Sequence, residues 1–207
     1  MKIGKQAPVV LITGSARGLG AYLAVALEKK GAVVIRHTRK KPGRSQAPGV
    51  IFDVRNRRAV EAAVRKIIRK WGRIDWLINC VGPYTPKRID RLTETEWRDN
   101  LESILHGAFF LSRAVLPQMR KQKSGKIVHI GDAYCGKLKT TPVAVAYKIA
   151  KNGLITLVHA LKQTEGPRGI EVRLIAPGFL PHSIVPASRV KGAKKTSYEE
   201  ILSSITT

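Results

Sequence analysis

Tyr147 and Lys151 carry side chains that together could transfer a proton. They stand four positions apart in the run Tyr-Lys-Ile-Ala-Lys, and residues at that spacing share one helix face, about one turn apart. A tyrosine with its ordinary pKa of about 10 is a poor acid–base group at neutral pH, whereas a neighbouring ammonium favours the phenolate and lowers that pKa. The pair is therefore a candidate acid–base centre. The alternative is a structural tyrosine beside a surface lysine.

A glycine-rich turn near the start of the chain could hold a phosphate group. Residues 13–20 read Thr-Gly-Ser-Ala-Arg-Gly-Leu-Gly and directly follow an apolar run, 9–12. Glycines permit a tight turn whose amides approach a pyrophosphate, which then lies at the positive N-terminus of the next helix. The turn is also compatible with an ordinary strand-to-helix connection. Its position before an amphipathic helix favours a dinucleotide site.

The elements that must position these residues alternate along the whole chain. Apolar runs predict strands, and apolar residues at helical spacing predict helices between them; Thr93 and Glu96 form a capping box at the start of one helix. This order predicts an α/β, Rossmann-type doubly wound parallel sheet, in three layers and a single domain over 1–207. The predicted strands are 9–12, 33–35, 50–52, 76–78, 127–130 and 172–175, and the predicted helices are near 19–27, 59–71, from Thr93 onward, and 144–162.

Five motifs in order resemble the short-chain dehydrogenase/reductase family. Besides the glycine turn, spaced Gly-x-x-x-Gly-x-Gly, they are Phe52-Asp53-Val54, Asn79-Cys80-Val81-Gly82, the Tyr147-x-x-x-Lys151 signature and Ala176-Pro177-Gly178. The resemblance implies an NAD(P)-binding oxidoreductase in which Tyr147 passes a proton during hydride transfer. Lys151 would tune the tyrosine and hold the nicotinamide ribose.

The resemblance also implies a set of cofactor contacts. Asp53 would bond the adenine, and Pro177-Gly178 would lie beside the nicotinamide. The end of the second strand reads Arg36-His37-Thr38-Arg39-Lys40 without a carboxylate; an arginine there pairs with a 2′-phosphate, so NADPH is favoured over NADH and Arg39 is its expected contact. The full set of cofactor-binding residues is Gly14, Ser15, Arg17, Gly18, Leu19, Gly20, Arg39, Asp53, Val54, Asn79, Gly82, Tyr147, Lys151, Pro177, Gly178 and Leu180.

Two positions depart from the family pattern. Asp132 stands where the family usually has serine, two residues further from the tyrosine than is typical, so Tyr134 is an alternative polar candidate. Pteridine reductases place aspartate there and show a sequence like His37-Thr38-Arg39, which implies a dihydropterin substrate. The helix asparagine that holds a proton-relay water in the family falls at Ile104, and Asn100, one turn away, is a candidate to replace it.

The last part of the chain has weak patterning. A substrate loop is expected to begin near Phe179 and to include His182, within a tail of about 178–207. No further strand is predicted after 172–175, so we expect a shortened C-terminal end. This leaves the substrate pocket and the family's usual dimer interfaces open, although a homo-oligomer remains an alternative.

The composition is strongly basic. Lys and Arg number 38 against 14 Asp and Glu, a formal net charge of +24. Such a field attracts nucleic acid, anionic membranes or phosphorylated ligands without choosing among them, and a merely solvated surface is an equal alternative. Cys80 and Cys135 match no zinc or disulfide pattern, and no apolar run approaches the roughly 18–20 residues of a membrane span. We therefore expect no metal and a cytoplasmic location.

These observations support two hypotheses of different classes. The first is an NADPH-dependent reductase of a carbonyl or C=N substrate, a dihydropterin being the sharper choice, with Tyr147, Lys151 and Asp132 as catalytic residues. The second is a family scaffold, weakly or not catalytic, recruited to a nucleic-acid or ribonucleoprotein assembly. With 6% aromatic residues, base stacking would be weak and contacts would go to the backbone. Its support is a basic cluster: Arg55, Arg57, Arg58, Arg65, Lys66, Arg69, Lys70 and Arg73.

Overall fold

Six parallel strands form one sheet in the order β3-β2-β1-β4-β5-β6. The computed structural model describes residues 7–40, 49–136, 142–183, 188 and 193–207. The strands are β1 Val9–Thr13, β2 Val33–Thr38, β3 Val50–Ile51, β4 Trp76–Asn79, β5 Gly125–Ile130 and β6 Ile170–Ile175. The helices are α1 Gly18–Lys29, α2 Arg57–Trp71, α3 Glu94–Leu101, α4 Gly107–Gln122, α5 Val145–Glu165 and α6 Tyr198–Thr206. The Rossmann-type sheet is confirmed, and its order reverses between β1 and β4, where such folds bind their ligands.

The strands are apolar along their length because helices cover both faces of the sheet. In β1, Leu11 packs into the core beneath α2, α4 and α5, while Val10 and Ile12 pack into the opposite core with α1 and α6. Alternate side chains of a strand point to opposite faces, so one strand supplies both cores. Its carboxyl end is thereby held rigidly at the centre of the sheet.

Helix α2 separates apolar from basic residues cleanly. The Asn56 side chain caps its start by accepting from the backbone N–H of Ala59 at 3.1 Å, and Gly72, in a left-handed conformation, ends it. Val60, Val64 and Ile67 are buried. The basic residues that were expected to face outward are exposed, namely Arg57, Arg58, Arg65, Lys66, Arg69 and Lys70.

Helices α3 and α4 are joined by a π-helical turn, Glu102–His106. The predicted capping box at the start of α3 is confirmed, since Thr93 Oγ1 accepts from the Glu96 N–H at 3.2 Å and Glu96 Oε2 accepts from the Thr93 N–H at 3.0 Å. The π-turn carries Ile104, which is 1% exposed. Such turns concentrate at functional sites, and nothing in the sequence indicated this one.

The weakly patterned tail contains a helix that the sequence analysis missed. Helix α6 begins with a second capping box, formed by Ser197 and Glu200, and buries Ile201 and Ile205 against α1. Arg173 Nη1 donates to the Ser204 carbonyl at 2.8 Å. Lys126 Nζ donates in the same way to Ile205, at 3.0 Å, so cations satisfy the last carbonyls of the helix.

Within the described parts of the chain, no helix is both long and apolar enough to cross a membrane.

Candidate functional site

Tyr147, Lys151 and Asp132 meet at the carboxyl end of β5. Asp132 follows this strand, while Tyr147 and Lys151 lie on the first two turns of α5. The Tyr147 hydroxyl donates to Asp132 Oδ2 at 3.0 Å, and Lys151 Nζ donates to the carbonyl of Ile130 at 2.5 Å. The three residues singled out from the sequence as chemically active therefore form one cluster.

The environment of Tyr147 differs from the sequence-based expectation. Burial raises the pKa of this phenol well above its usual range, and the negative charge of Asp132 raises it further. The expected lowering by Lys151 was wrong, because the nearest charged contact of the hydroxyl is a carboxylate and not the ammonium, whose Nζ lies 5.6 Å from the ring centre. Tyr147 consequently keeps its proton throughout the neutral range.

Lys151 is almost completely enclosed, with 4% of the residue exposed. Burial lowers the pKa of its ammonium from 10.5 to about 8, against the opposing attraction of Asp132. Gly82 borders it, since a Cβ atom added there would lie 3.3 Å from Lys151 Nζ. The lysine is thus a buried cation that stays mostly charged at neutral pH and approaches the backbone of Gly82 closely.

Asp132 and Tyr134, the two polar candidates after β5, make different contacts. Asp132 Oδ1 accepts from the Tyr134 N–H at 2.7 Å, which leaves Oδ2 directed at Tyr147. The Tyr134 hydroxyl instead accepts from the Lys194 N–H at 2.7 Å. The longer spacing between Asp132 and Tyr147 does not separate them.

Asn79 anchors a buried polar chain beneath the site. Its Oδ1 accepts from Thr13 Oγ1 at 2.6 Å, and its Nδ2 contacts His129 Nδ1 at 3.2 Å. The other ring nitrogen of His129 lies 3.0 Å from Ser112 Oγ. Burial, and then Lys151, lower the pKa of His129 to about 3, so the neutral ring accepts from Asn79 and donates to Ser112. Any cofactor contact of Asn79 would come through its backbone, because its side chain is occupied here.

The glycine turn is held against β2 by His37. The Gly14 N–H donates to His37 Nδ1 at 3.1 Å, His37 Nε2 donates to the carbonyl of Phe52 at 2.9 Å, and the His37 N–H donates to Ser15 Oγ at 2.8 Å. Burial lowers the pKa of the ring, consistent with the neutral tautomer that these bonds require. His37, named from the sequence only within the segment at the end of β2 that resembles pteridine reductases, points into the protein and holds the turn in place.

Gly20 must be glycine for steric reasons. A Cβ atom there would collide with the carbonyl of Gly14, so the first turn of α1 packs directly on the preceding loop. Arg17 precedes α1 and no side chain of the described residues caps this end. The turn therefore presents an uncapped, positive helix N-terminus.

Charged residues surround the end of β2 and the loop after β3. Arg36 pairs with Glu28 at 2.7 Å, whereas Arg39 is exposed and has no ion pair within the described ranges. Asp53 receives Arg55 Nη2 at 2.6 Å, which holds the pKa of that carboxyl below its usual range. Arg39 could therefore pair with an anionic group of a ligand. Asp53 is already paired with Arg55, so a ligand that reaches Asp53 would contact an ion pair.

The side chain of Asn100, the candidate to take the place of the family asparagine that falls at Ile104, bonds to neighbouring protein groups. Asn100 Nδ2 donates to Thr85 Oγ1 at 3.0 Å and to the Glu96 carbonyl at 2.8 Å, so the amide is turned toward Thr85. Its Oδ1 is buried with no hydrogen-bond partner among the described residues. Near Gly82, the neighbour contributed by the π-turn is instead the Ile104 side chain.

The remaining residues predicted from the sequence lie on α1 or follow β3 and β6 along the chain. Gly178 donates its N–H to Thr196 Oγ1 at 2.9 Å, which ties the segment after β6 to the approach of α6. His182, named from the sequence only as part of a loop, lies against Gly18 of the glycine turn. Of the others, Leu19, Val54 and Pro177 are buried, and Leu180 is partly buried against the α1–α6 core.

Comparison with known proteins finds the same architecture and similar sequences. The family model for short chain dehydrogenases matches residues 8–189. The 3-oxoacyl-[acyl-carrier-protein] reductase of Vibrio cholerae is 31% identical, over 86% of this chain and 76% of its own length; the protein of that name from Escherichia coli K12 is 30% identical, over 90% and 85%. A solved short-chain dehydrogenase from Streptomyces avermitilis has 29% identity and a TM-score of 0.79, over 87% of this chain and 69% of that one.

Proposed function

Because the chain belongs to the short-chain dehydrogenase/reductase family and is an NAD(P)-dependent oxidoreductase, we propose that it uses NADPH to reduce a C=N or carbonyl substrate, with a dihydropterin as the preferred class. The observation that carries this proposal is the 3.0 Å hydrogen bond from the Tyr147 hydroxyl to Asp132. A serine hydroxyl would be expected at that place in the family.

The residues present fit a dinucleotide. The N-terminus of α1 has no side-chain cap and would face a diphosphate, with His182 lying against Gly18 of the turn. Arg39 is exposed and would meet a 2′-phosphate. When bound, NADPH supplies a hydride to the substrate carbon. Lys151 would hold the ribose. The buried hydrogen bonds that link Thr13, Asn79, His129 and Ser112 would keep the strands beneath the site in place.

Tyr147 supplies the proton in this proposal. Its raised pKa keeps the phenol protonated, so the hydroxyl carries the proton that a reduction consumes. The proton would leave Tyr147 Oη for the nitrogen or oxygen of the substrate that is being reduced. Lys151, whose Nζ lies 5.6 Å from the ring centre, would offset part of the repulsion that Asp132 exerts on the phenolate.

Asp132 supports a nitrogen-containing substrate. An ionised carboxylate only accepts hydrogen bonds, so it cannot donate to a ketone oxygen as a serine hydroxyl does. A dihydropterin presents amino and ring N–H groups that a carboxylate can receive. The 3-oxoacyl reductases to which this chain is similar act on ketones, and Asp132 argues against that substrate here.

Substituting Asp132 should reveal which substrate class it serves. Asp132→Ala should lower kcat/KM for a dihydropterin by about 10- to 100-fold, because a site built to bond N–H groups loses its acceptor. Asp132→Ser should raise activity toward a 3-oxoacyl thioester relative to the wild type. Both substrates are assayed by NADPH absorbance. Reduction of the thioester and not of any dihydropterin by the wild type would exclude the pterin assignment.

Arg39 should determine the preference for NADPH over NADH. Arg39→Asp removes the expected partner of the 2′-phosphate and adds a repelling charge, so NADPH should bind at least tenfold more weakly while NADH changes little. Titration of nucleotide fluorescence measures both constants. Arg58→Asp, on α2, carries the same charge change as a control. Equal affinity of the wild type for the two nucleotides would overturn the assignment.

We propose a second role for the basic outer side of α2, that of a polyanion-binding surface separate from the reaction. Its support is the exposure of the α2 cations, most of them without an ion pair among the described residues. Neutralising phosphates releases counterions, so binding to RNA or DNA should fall by orders of magnitude from low to physiological salt. Cys80 and Cys135 are both free, as is usual for cysteines in the reducing cytoplasm. The proposed role is compatible with that location.

Charge reversal tests this surface. Arg58→Glu, Arg65→Glu and Arg69→Glu together should weaken nucleic-acid retention about tenfold or more and leave NADPH affinity nearly unchanged. The matched control reverses Arg88, Arg91 and Arg98, which are also exposed but lie around the start of α3. If the wild type binds no nucleic acid even at low salt, the basic side is simply solvated.

A further inference from the structure

The imidazole of His182 lies directly on the glycine turn. A Cβ atom added to Gly18 would lie 2.9 Å from His182 Nε2 and 3.0 Å from its Cδ2. The ring thus packs where residue 18 has no side chain. Gly18 also has a φ of +58°, a conformation that glycine adopts readily. The missing side chain and the backbone conformation of Gly18 leave space above the turn. In this structure the imidazole of His182 occupies that space.

A tyrosine of α6 holds this imidazole in place. His182 Nδ1 is hydrogen-bonded to the Tyr198 hydroxyl, and the two rings lie 5.6 Å apart. Tyr198 in turn packs on Tyr22 of α1, with ring centres 5.0 Å apart, and the Tyr22 hydroxyl donates to Glu199 at 3.0 Å. Because α6 is anchored in the core by Ile201 and Ile205, His182 is positioned by packing as well as by its own loop.

The free ring nitrogen faces the place where a dinucleotide diphosphate is expected. In glycine turns of this kind, the second glycine lets the backbone approach the pyrophosphate, and here that residue is Gly18. When Tyr198 donates to Nδ1, the neutral ring carries its proton on Nε2, which is the nitrogen nearest Gly18. A hydrogen-bond donor therefore points at the anion position.

The charged groups around the ring set its response to an anion. Arg17 acts on it from the turn and Tyr198 contacts it from α6, while Glu199 is bonded to Tyr22. Burial and then Arg17 lower the pKa of His182, so the free protein holds the ring neutral at pH 7. A diphosphate would bring negative charge next to Nε2 and favour the imidazolium.

We propose that His182 binds the diphosphate of the dinucleotide and takes up a proton as the dinucleotide binds. This inference rests on the proposed dinucleotide site and adds a residue and a proton-linked step to it. The ring occupies the space above Gly18 in this structure, so the proposal requires that the imidazole shift to the flank of the turn when the diphosphate binds. Since the proton is bound only in the complex, affinity falls as the pH rises above the lowered pKa of the free ring.

Calorimetric titration of the full chain tests the proposal. NADH is the main probe because it has no 2′-phosphate to titrate, and each titration is repeated in two buffers of different ionisation enthalpy to count protons. The wild type should take up protons, and His182→Gln, which keeps a donor but cannot titrate, should take up none and show a flat pH profile. His182→Ala should bind about tenfold more weakly. The exposed His159→Gln on α5 should behave as wild type.

A second probe separates this contact from the rest of the site. 2′-AMP lacks the diphosphate, so its affinity should be the same in the wild type and in His182→Ala. Thermal unfolding verifies that the variants fold. If the wild type binds no dinucleotide, the proposed function fails and takes this inference with it. If the wild type binds but His182→Ala binds equally or more tightly, or proton uptake persists in His182→Gln, only the role of His182 is overturned.

Discussion

Replacing Tyr147 by phenylalanine should lower turnover by about two to four orders of magnitude, the usual contribution of a positioned general acid. The change removes only the hydroxyl that donates to Asp132, so the aromatic ring keeps its packing, including its edge contact with Tyr84, whose ring centre lies 5.0 Å away. NADPH should therefore bind with nearly unchanged affinity. Steady-state reduction of a dihydropterin and a separate nucleotide titration distinguish loss of chemistry from loss of binding.

Tyr134→Phe is the matched control for this variant. It also removes one phenolic hydroxyl two residues from Asp132, but that hydroxyl bonds to the Lys194 N–H outside the cluster. We expect most of the activity to remain in the control. Full activity in Tyr147→Phe would mean that the tyrosine has a structural role and that another group supplies the proton.

Lys151→Met should damage binding and turnover together. Methionine keeps much of the buried volume and removes the ammonium, so the loss reports on charge and hydrogen bonding rather than on a cavity. A charge-assisted hydrogen bond to the ribose accounts for about 10- to 100-fold in the dissociation constant. Turnover should fall further, because the phenolate left on Tyr147 loses its neighbouring cation. Lys148→Met, on the same helix, is the control and should retain activity.

The pH profile of the wild type gives the same residue a second test. Since burial places the pKa of Lys151 at about 8, the ammonium is present below that pH and is lost above it. The rate of reduction should therefore decline as the pH rises through about 8. In Lys151→Met this step should be missing from whatever activity remains. A wild-type rate that stays flat to pH 10 would contradict the proposed role of the ammonium.

The sequence by itself determined the features that depend on neighbours along the chain. The alternation of apolar runs predicted the parallel sheet because the residue period of a strand or helix is local, and Thr93 with Glu96 marked a helix start because a capping box spans one turn. The four-residue spacing of Tyr147 and Lys151 placed both on one helix face for the same reason. The capping box at Ser197 and the apolar residues after it were equally local signals, and they could have revealed α6.

Only the tertiary structure decided the electrostatics of the site. The pKa of Tyr147 moves opposite to the sequence-based expectation because packing buries the phenol and brings in Asp132 from the end of another element. His37 clamps Gly14, and His182 covers Gly18, across separations of 23 residues and 164 residues. Such contacts depend on how β2 and α6 are placed beside α1. No local pattern encodes that placement, because it follows from the burial of whole helices against the sheet.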